Sequence, residues 1–246
     1  MSDRIYAIGD VHGHRDELAK VHDWIAHDQA VHGSAPVVHV GDLTDRGPDS
    51  RGVLDFLISG QAAGENWIAL KGNHDRMFSL FLESEPKRDH RLRPELDWLH
   101  PRVGGLATLE SYGVKTDRDM DIHSAARTAV PELHREFLKS LPTMFHTDQL
   151  LVVHAGIRPN VALESQEEDD LLWIRDEFIF NTDDHGVFVV HGHTPVESVS
   201  HCGNRLNIDT GAGYGQPLSA VVIEGQEVFQ ITARGRKAIP PPERLG

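Results

Sequence analysis

VVHVGDLTDRG, Val37 to Gly47, is a short apolar run that stops at a glycine and passes into two carboxylates and a guanidinium. An apolar run bounded by a polar turn reads as a buried strand leading into a loop. The pattern repeats on both sides. Upstream, RIYAI leads into GDVHG, and the segment from about Asp16 to Gln29 that follows spaces Leu18, Val21 and Ile25 as one helix face. Downstream, Val53, Leu54, Leu57 and Ile58 do the same between about Ser50 and Ser59, before WIALK runs into GNHD. Strand, helix, strand, helix, strand predicts parallel strands with crossover helices.

From Arg76 to Asp148 the chain is mostly helical in character. PELHREFLKSLP is its clearest helix, because Pro131 suits a first turn. RDHRLRPELDWLHPRVGG has no clear period, and the stretch from Pro86 to Gly105 reads as a lid or a plain loop. After Gln149 come the runs LLVV, VFVV, RLNI, SAVVI and VFQITA, the last four joined by short connections that predict antiparallel neighbours. The expected fold is α/β, with two mixed β-sheets packed face to face and helices outside. Residues 1–235 read as one domain and 236–246 as a Pro-rich C-terminal tail, extended or mobile.

Lys and Arg number 24 against 38 Asp and Glu, a net charge of -14. Such a surface repels phosphate backbones, which disfavours nucleic-acid and anionic-membrane partners. A single cysteine, Cys202, excludes an intramolecular disulfide and a cysteine-based zinc cluster. A reducing, cytoplasmic setting is expected, with no apolar run long enough to span a bilayer. The oligomeric state has no signal here. Of the 17 histidines, His22, His27, His100 and His134 read as exposed or internally satisfied.

Five apolar runs end in polar loops: GDVHG, GDLTDRG, GNHD, HAG and HGHTP. In open α/β sheets such loops converge beyond the carboxyl ends of the strands. Asp10, His12, Asp42, Asn73, His154 and His193 are oxygen and imidazole donors of the kind that borderline divalent ions accept. They are too many for one ion and enough for two that share a carboxylate. Two such ions about 3.5–4 Å apart suit phosphate ester hydrolysis.

The set, in this order, resembles the calcineurin-like metallophosphoesterases, and within them the bacterial phosphoprotein phosphatases, whose signature is G-D-x-H-G, G-D-x-x-D-R-G and G-N-H-E. It extends from Gly9 to about Gly213. The resemblance implies a metallophosphoesterase sandwich holding two divalent ions, Mn2+ by preference with Zn2+ or Fe2+ as alternatives. Asp10 and His12 would bind one, Asp42 would bridge, and Asn73, His154 and His193 would complete the second. His193 is selected by the G-H-T element; strand alternation puts His191 on the same face, and it stands in reserve. The resemblance also makes His74 the general acid oriented by Asp45, with Arg46 and Arg175 gripping phosphate oxygens beside Asn73.

The implied activity is hydrolysis of phosphate monoesters by a hydroxide held between the metals, with phosphoserine or phosphothreonine proteins as substrates and small esters also accepted. A symmetrical dinucleoside tetraphosphatase of the same fold is the alternative. A non-catalytic metal-binding module is the second, disfavoured by the presence of Asp45, Arg46 and His74. Two departures matter: Lys71 stands where the phosphoprotein branch has an arginine, with Asp75 for its glutamate, and Pro195 replaces the last histidine of nuclease relatives. Trp173, Leu171 and Leu172 read as core, Glu167 to Asp170 as a solvated helix start, and the Gly-rich turn NIDTGAGYG as a turn in which Asp209 could support a ligand.

Overall fold

A computed structural model describes residues 4–116 and 121–243. In chain order the elements are β1 (Arg4–Ile8), α1 (Arg15–His32), β2 (Val37–His39), α2 (Ser50–Ala62), β3 (Trp67–Ala69), α3 (Asn73–Phe81), α4 (Gly105–Ser111), α5 (Ile122–Ala129), α6 (Glu132–Ser140), β4 (Met144–His146) and β5 (Leu150–Val153). There follow α7 (Glu168–Trp173), α8 (Asp176–Ile179), β6 (Phe188–His191), β7 (Ser200–His201), β8 (Arg205–Asn207), β9 (Ala220–Glu224), β10 (Glu227–Thr232) and β11 (Gly235–Ala238). One sheet has the order β11-β10-β9-β1-β2-β3 and the other β4-β5-β6-β8-β7.

Strand alternation builds the layers. In β1, Tyr6 and Ile8 pack with Leu18 and Leu54 under the helices, whereas Ile5 and Ala7 face Val152, Val190 and Leu206 of the other sheet. In β5, Leu150 and Val152 enter that same middle layer while Leu151 and Val153 meet Leu171, Ile174 and Phe178 on the far side. A strand covered on both faces has no room for a polar position, which is why these runs are unbrokenly apolar. The expected two mixed sheets with flanking helices are the observed architecture.

Three details differ from expectation. VFVV and RLNI are not antiparallel: β6 pairs with β8 in parallel, and β7 folds back to fill the edge. RLNI and SAVVI lie in different sheets, since the GAGYGQP connection crosses between them. The reading of 236–246 as a tail also runs into a strand. Arg236, Lys237 and Ala238 pair with Ile231, Gln230 and Phe229. Arg236 reaches Asp28 (2.7 Å) and Glu224 (3.0 Å), a cationic anchor that the Pro-rich context concealed.

Candidate active site

The strands β1, β2 and β3 are parallel in one sheet and β5 and β6 parallel in the other, so within each set the carboxyl ends fall on one side. Their loops bring together the residues singled out from sequence. Packing is close enough to dictate glycine. A methyl group on Gly72 would overlap the amide nitrogen of Asp42, and one on Gly192 would overlap the carboxylate of Asp10. His12, Asp42, Asp45, Arg46 and His193 all have left-handed backbone, with φ of 44°, 49°, 72°, 68° and 66°; among the described residues, Asn160 is the one other non-glycine with positive φ. Left-handed conformation is uncommon outside glycine, so these loops turn sharply at the positions that carry the polar groups.

Asp42 is the hub. It belongs with His12 and His74 to one group, and with His154 and His193 to another, in each of which the ligand atoms lie within 4.8 Å of one another. His12 Nε2 and His154 Nε2 each approach an Asp42 oxygen at 3.4 Å. Nδ1 of His12 donates to the Thr44 carbonyl (2.9 Å) and Nδ1 of His154 to the Val40 carbonyl (3.1 Å), which leaves both Nε2 lone pairs facing inward. Asp10 lies outside both groups; its carboxylate accepts the backbone N–H of His193 at 3.1 Å. His191 turns away, its Nε2 met by the Arg205 guanidinium at 3.1 Å, so the structure separates the two histidines that alternation could not.

The donor set fits divalent cations. With Nδ1 of His154 committed to Val40, its Nε2 lone pair faces Asn73 Oδ1 at 2.9 Å and an Asp42 oxygen at 3.4 Å, three acceptors with no hydrogen between them. His193 Nε2 is buried and has no hydrogen-bond partner among the described residues. Burial holds the His12, His154 and His193 rings below the usual histidine range, and so neutral, the form that ligates a metal. Burial pushes Asp10 well up, with Asp209 and Asp42 adding to the effect. Burial alone would also raise Asp42, and the rings of His154, His12 and His193 oppose this only in their charged form. Positive charge delivered between these groups relieves the repulsion on Asp10.

Beside this cluster, His74 Nδ1 sits 2.7 Å from Asp45 Oδ2. The Arg46 guanidinium donates through Nη1 to His12 Nε2 (2.8 Å) and through Nη2 to His74 Nε2 (3.1 Å), and its face rests on the Tyr214 ring at 4.6 Å. Arg175 donates to Thr194 Oγ1 at 3.0 Å and lines the same cavity of about 560 Å³. Arg175 stands between two short helices, α7 and α8. Trp173, expected in the core, is half-buried and lines the cavity wall. Lys71 pairs with Glu168 at 3.3 Å and is not among the lining residues. The run Glu167–Asp170 is not simply solvated either: Asp169 binds Arg76 (2.7 Å) and Asp170 binds Arg158 (2.6 Å).

Several supporting contacts were invisible in the sequence. Trp98 Nε1 donates to Asp45 Oδ2 (2.9 Å) and Thr108 Oγ1 to Asp45 Oδ1 (2.8 Å), from 53 and 63 positions away. Asp75 accepts from the amides of Leu43 (3.0 Å), Thr44 (3.3 Å) and Gly72 (2.9 Å), and so ties the GDLTD and GNHD loops to each other. Arg91, Arg93 and Arg102, within the stretch read as a lid or loop, line the cavity too.

Comparison with known proteins agrees with this geometry. The family model for calcineurin-like phosphoesterases matches residues 3–214. The chain is similar to the asymmetrical bis(5'-nucleosyl)-tetraphosphatase PrpE of Anoxybacillus flavithermus, with 26% identity over 91% of this chain and 92% of that one. It is also similar to the symmetrical bis(5'-nucleosyl)-tetraphosphatase of Neisseria meningitidis, with 28% identity over 94% and 96%. A cold-active protein-tyrosine phosphatase of a psychrophilic Shewanella shares the fold, with a TM-score of 0.67 and 16% identity over 98% of this chain and 81% of that one. With a family match across most of its length, this chain belongs to the calcineurin-like phosphoesterases and is a hydrolase acting on phosphate ester bonds.

Proposed function

We propose that the protein hydrolyses dinucleoside polyphosphates, using the site around Asp42. The observation that carries this reading is the near full-length similarity to bis(5'-nucleosyl)-tetraphosphatases of both symmetrical and asymmetrical kinds. It replaces the phosphoprotein reading, which rested on GDLTDRG and GNHD, two motifs that serve the metal and phosphate groups whatever ester is cut.

In the proposed site Asp10, His12, Asp42, Asn73, His154 and His193 hold two divalent ions. Such ions supply Lewis acidity and lower the pKa of water. Arg46 and Arg175 orient the phosphoryl group undergoing attack, their guanidinium forks matching its oxygens. A phosphate oxygen takes over the two Arg46 N–H groups that otherwise point at His12 and His74. His74, held by Asp45 through Nδ1, presents Nε2 to the leaving oxygen and delivers a proton there.

The test is a comparison of kcat/KM on diadenosine tetraphosphate and on a phosphoserine peptide, with metal-reconstituted protein and chromatography of the nucleotide products. Preference for the tetraphosphate is expected. Two ADP per substrate identifies symmetrical cleavage, ATP with AMP asymmetrical cleavage. A preference of tenfold or more for the peptide, on the order of 1.4 kcal/mol in transition-state binding, overturns the reading.

A further inference from the structure

The cavity wall holds more positive charge than one phosphoryl group requires. Five arginines line it, Arg46, Arg91, Arg93, Arg102 and Arg175, and the one carboxylate among its lining residues is Asp42. In a chain of net charge -14 that concentration stands apart. Arg4, Arg76, Arg158 and Arg236 elsewhere pair with carboxylates, whereas among the described residues none of the five cavity arginines has an acidic partner within 4 Å. Arg46 and Arg175 suffice for the reacting group. The other three come from the segment between α3 and α4 and have no such duty.

That segment is fastened rather than loose. Arg76 on α3 grips the buried Asp89 with two N–H groups (2.7 and 3.0 Å) and Asp169 with a third (2.7 Å). His90 Nε2 meets Asp169 at 2.5 Å. Arg88 donates to the carbonyls of Leu92, Arg93 and Leu96, which pins the turn that presents Arg91 and Arg93. Farther along, Trp98 is bonded to Asp45. A backbone fixed before a ligand arrives leaves only side-chain freedom to be lost on binding.

We infer that Arg91, Arg93 and Arg102 form a second anion site, which holds the phosphates of a polyphosphate chain beyond the one attacked. This rests on the proposed function and narrows it. The segment would then select chain length, because a monoester reaches Arg46 and Arg175 but has nothing to offer the other three. An unpartnered, exposed guanidinium is also unneeded for folding, so its removal is a clean probe.

The experiment measures KM and kcat of the metal-loaded protein on diadenosine tetraphosphate and on para-nitrophenyl phosphate for wild type, Arg91→Ala/Arg93→Ala, Arg102→Ala and the corresponding lysine variants. The double alanine variant should raise KM for the tetraphosphate by about tenfold or more, the order expected for losing charged hydrogen bonds, and move the para-nitrophenyl phosphate value far less. Lysine should restore part of the loss. Equal effects on both substrates would reduce the cluster to loop packing, and no effect on the tetraphosphate would overturn the site. Competitive inhibition of para-nitrophenyl phosphate hydrolysis by orthophosphate, pyrophosphate and tripolyphosphate, at fixed free metal, separates this inference from the proposed function. If wild type leaves diadenosine tetraphosphate uncut yet binds longer chains more tightly, and the variant loses that gain, the anion site stands while the activity does not.

Discussion

Asp45 Oδ2 receives two donors, His74 Nδ1 at 2.7 Å and Trp98 Nε1 at 2.9 Å, while Thr108 occupies its other oxygen. The carboxylate is fully buried and cannot swing, so the imidazole it holds has one orientation and one tautomer. Asp45→Asn keeps the shape and removes that preference. Its kcat should fall about a hundredfold or more, the scale of general acid catalysis, with a smaller change in KM. The loss should be greatest for esters with poor leaving groups, such as phosphoserine, and least for para-nitrophenyl phosphate, whose leaving oxygen needs little help. Steady-state rates on the two substrates check it.

Asp42 is shared by both candidate ligand groups, so Asp42→Asn should affect both metal positions at once. Elemental analysis of reconstituted protein should find about two ions per chain in wild type and fewer than one in the variant. Added manganese should raise the wild-type melting temperature, since a ligand at about 100 times its Kd adds about 2.7 kcal/mol, and leave the variant nearly unmoved. An equal shift in both would remove Asp42 from the metal site.

His22 and His39 predict a pH dependence that has nothing to do with the site. His39 Nδ1 donates to the Ile68 carbonyl (3.1 Å), so its Nε2 accepts from His22 Nε2 at 2.9 Å and both rings are neutral. Burial pushes His22 down to about 2 and His39 to about 4. The unfolded rings take up protons near 6.5 and the folded ones do not. Stability is therefore fully present above pH 6.5 and declines as pH falls toward 4, by up to about 1.4 kcal/mol per unit for each ring. Urea unfolding between pH 7 and 5 should show a slope of that sign, and His22→Phe should reduce it.

Arg76 compensates a carboxylate, Asp89, whose side chain has no exposed surface. Arg76→Ala strands that charge and should cost about 3 kcal/mol of unfolding free energy, with Arg76→Lys intermediate because it keeps charge but loses the fork. Hydrogen exchange should quicken first between Asp89 and Trp98, the part of the chain this clamp secures. Stability within 0.5 kcal/mol of wild type, about the size of an ordinary surface substitution, would contradict the clamp.

The layered fold was legible because runs such as LLVV and AVVI are apolar at every position, which only two-sided burial explains. The loops at the strand ends were legible because glycine and a polar ligand type recur at each. Topology among the later strands was not: a connection of a few residues closes a hairpin or crosses between sheets with equal ease, and GAGYGQP does the second. Trp98, Thr108 and Arg76 were hidden for another reason. Their partners are distant in the chain, and a lone indole, hydroxyl or guanidinium carries no period to betray it. Lys237 and Arg236 were misplaced because nearby prolines outweighed a short edge strand.

The left-handed backbone at His12, Asp42, Asp45, Arg46 and His193 has a bearing on how such a protein evolves. Each such residue costs on the order of 1 kcal/mol or more relative to a relaxed conformation, although Asp and His tolerate it better than most. Glycine at any of the five would ease the chain and erase a polar group with it. A drift toward relaxed backbone at these positions would therefore strip polar groups from the strand-end loops, whereas the sandwich interior can gain stability without touching them.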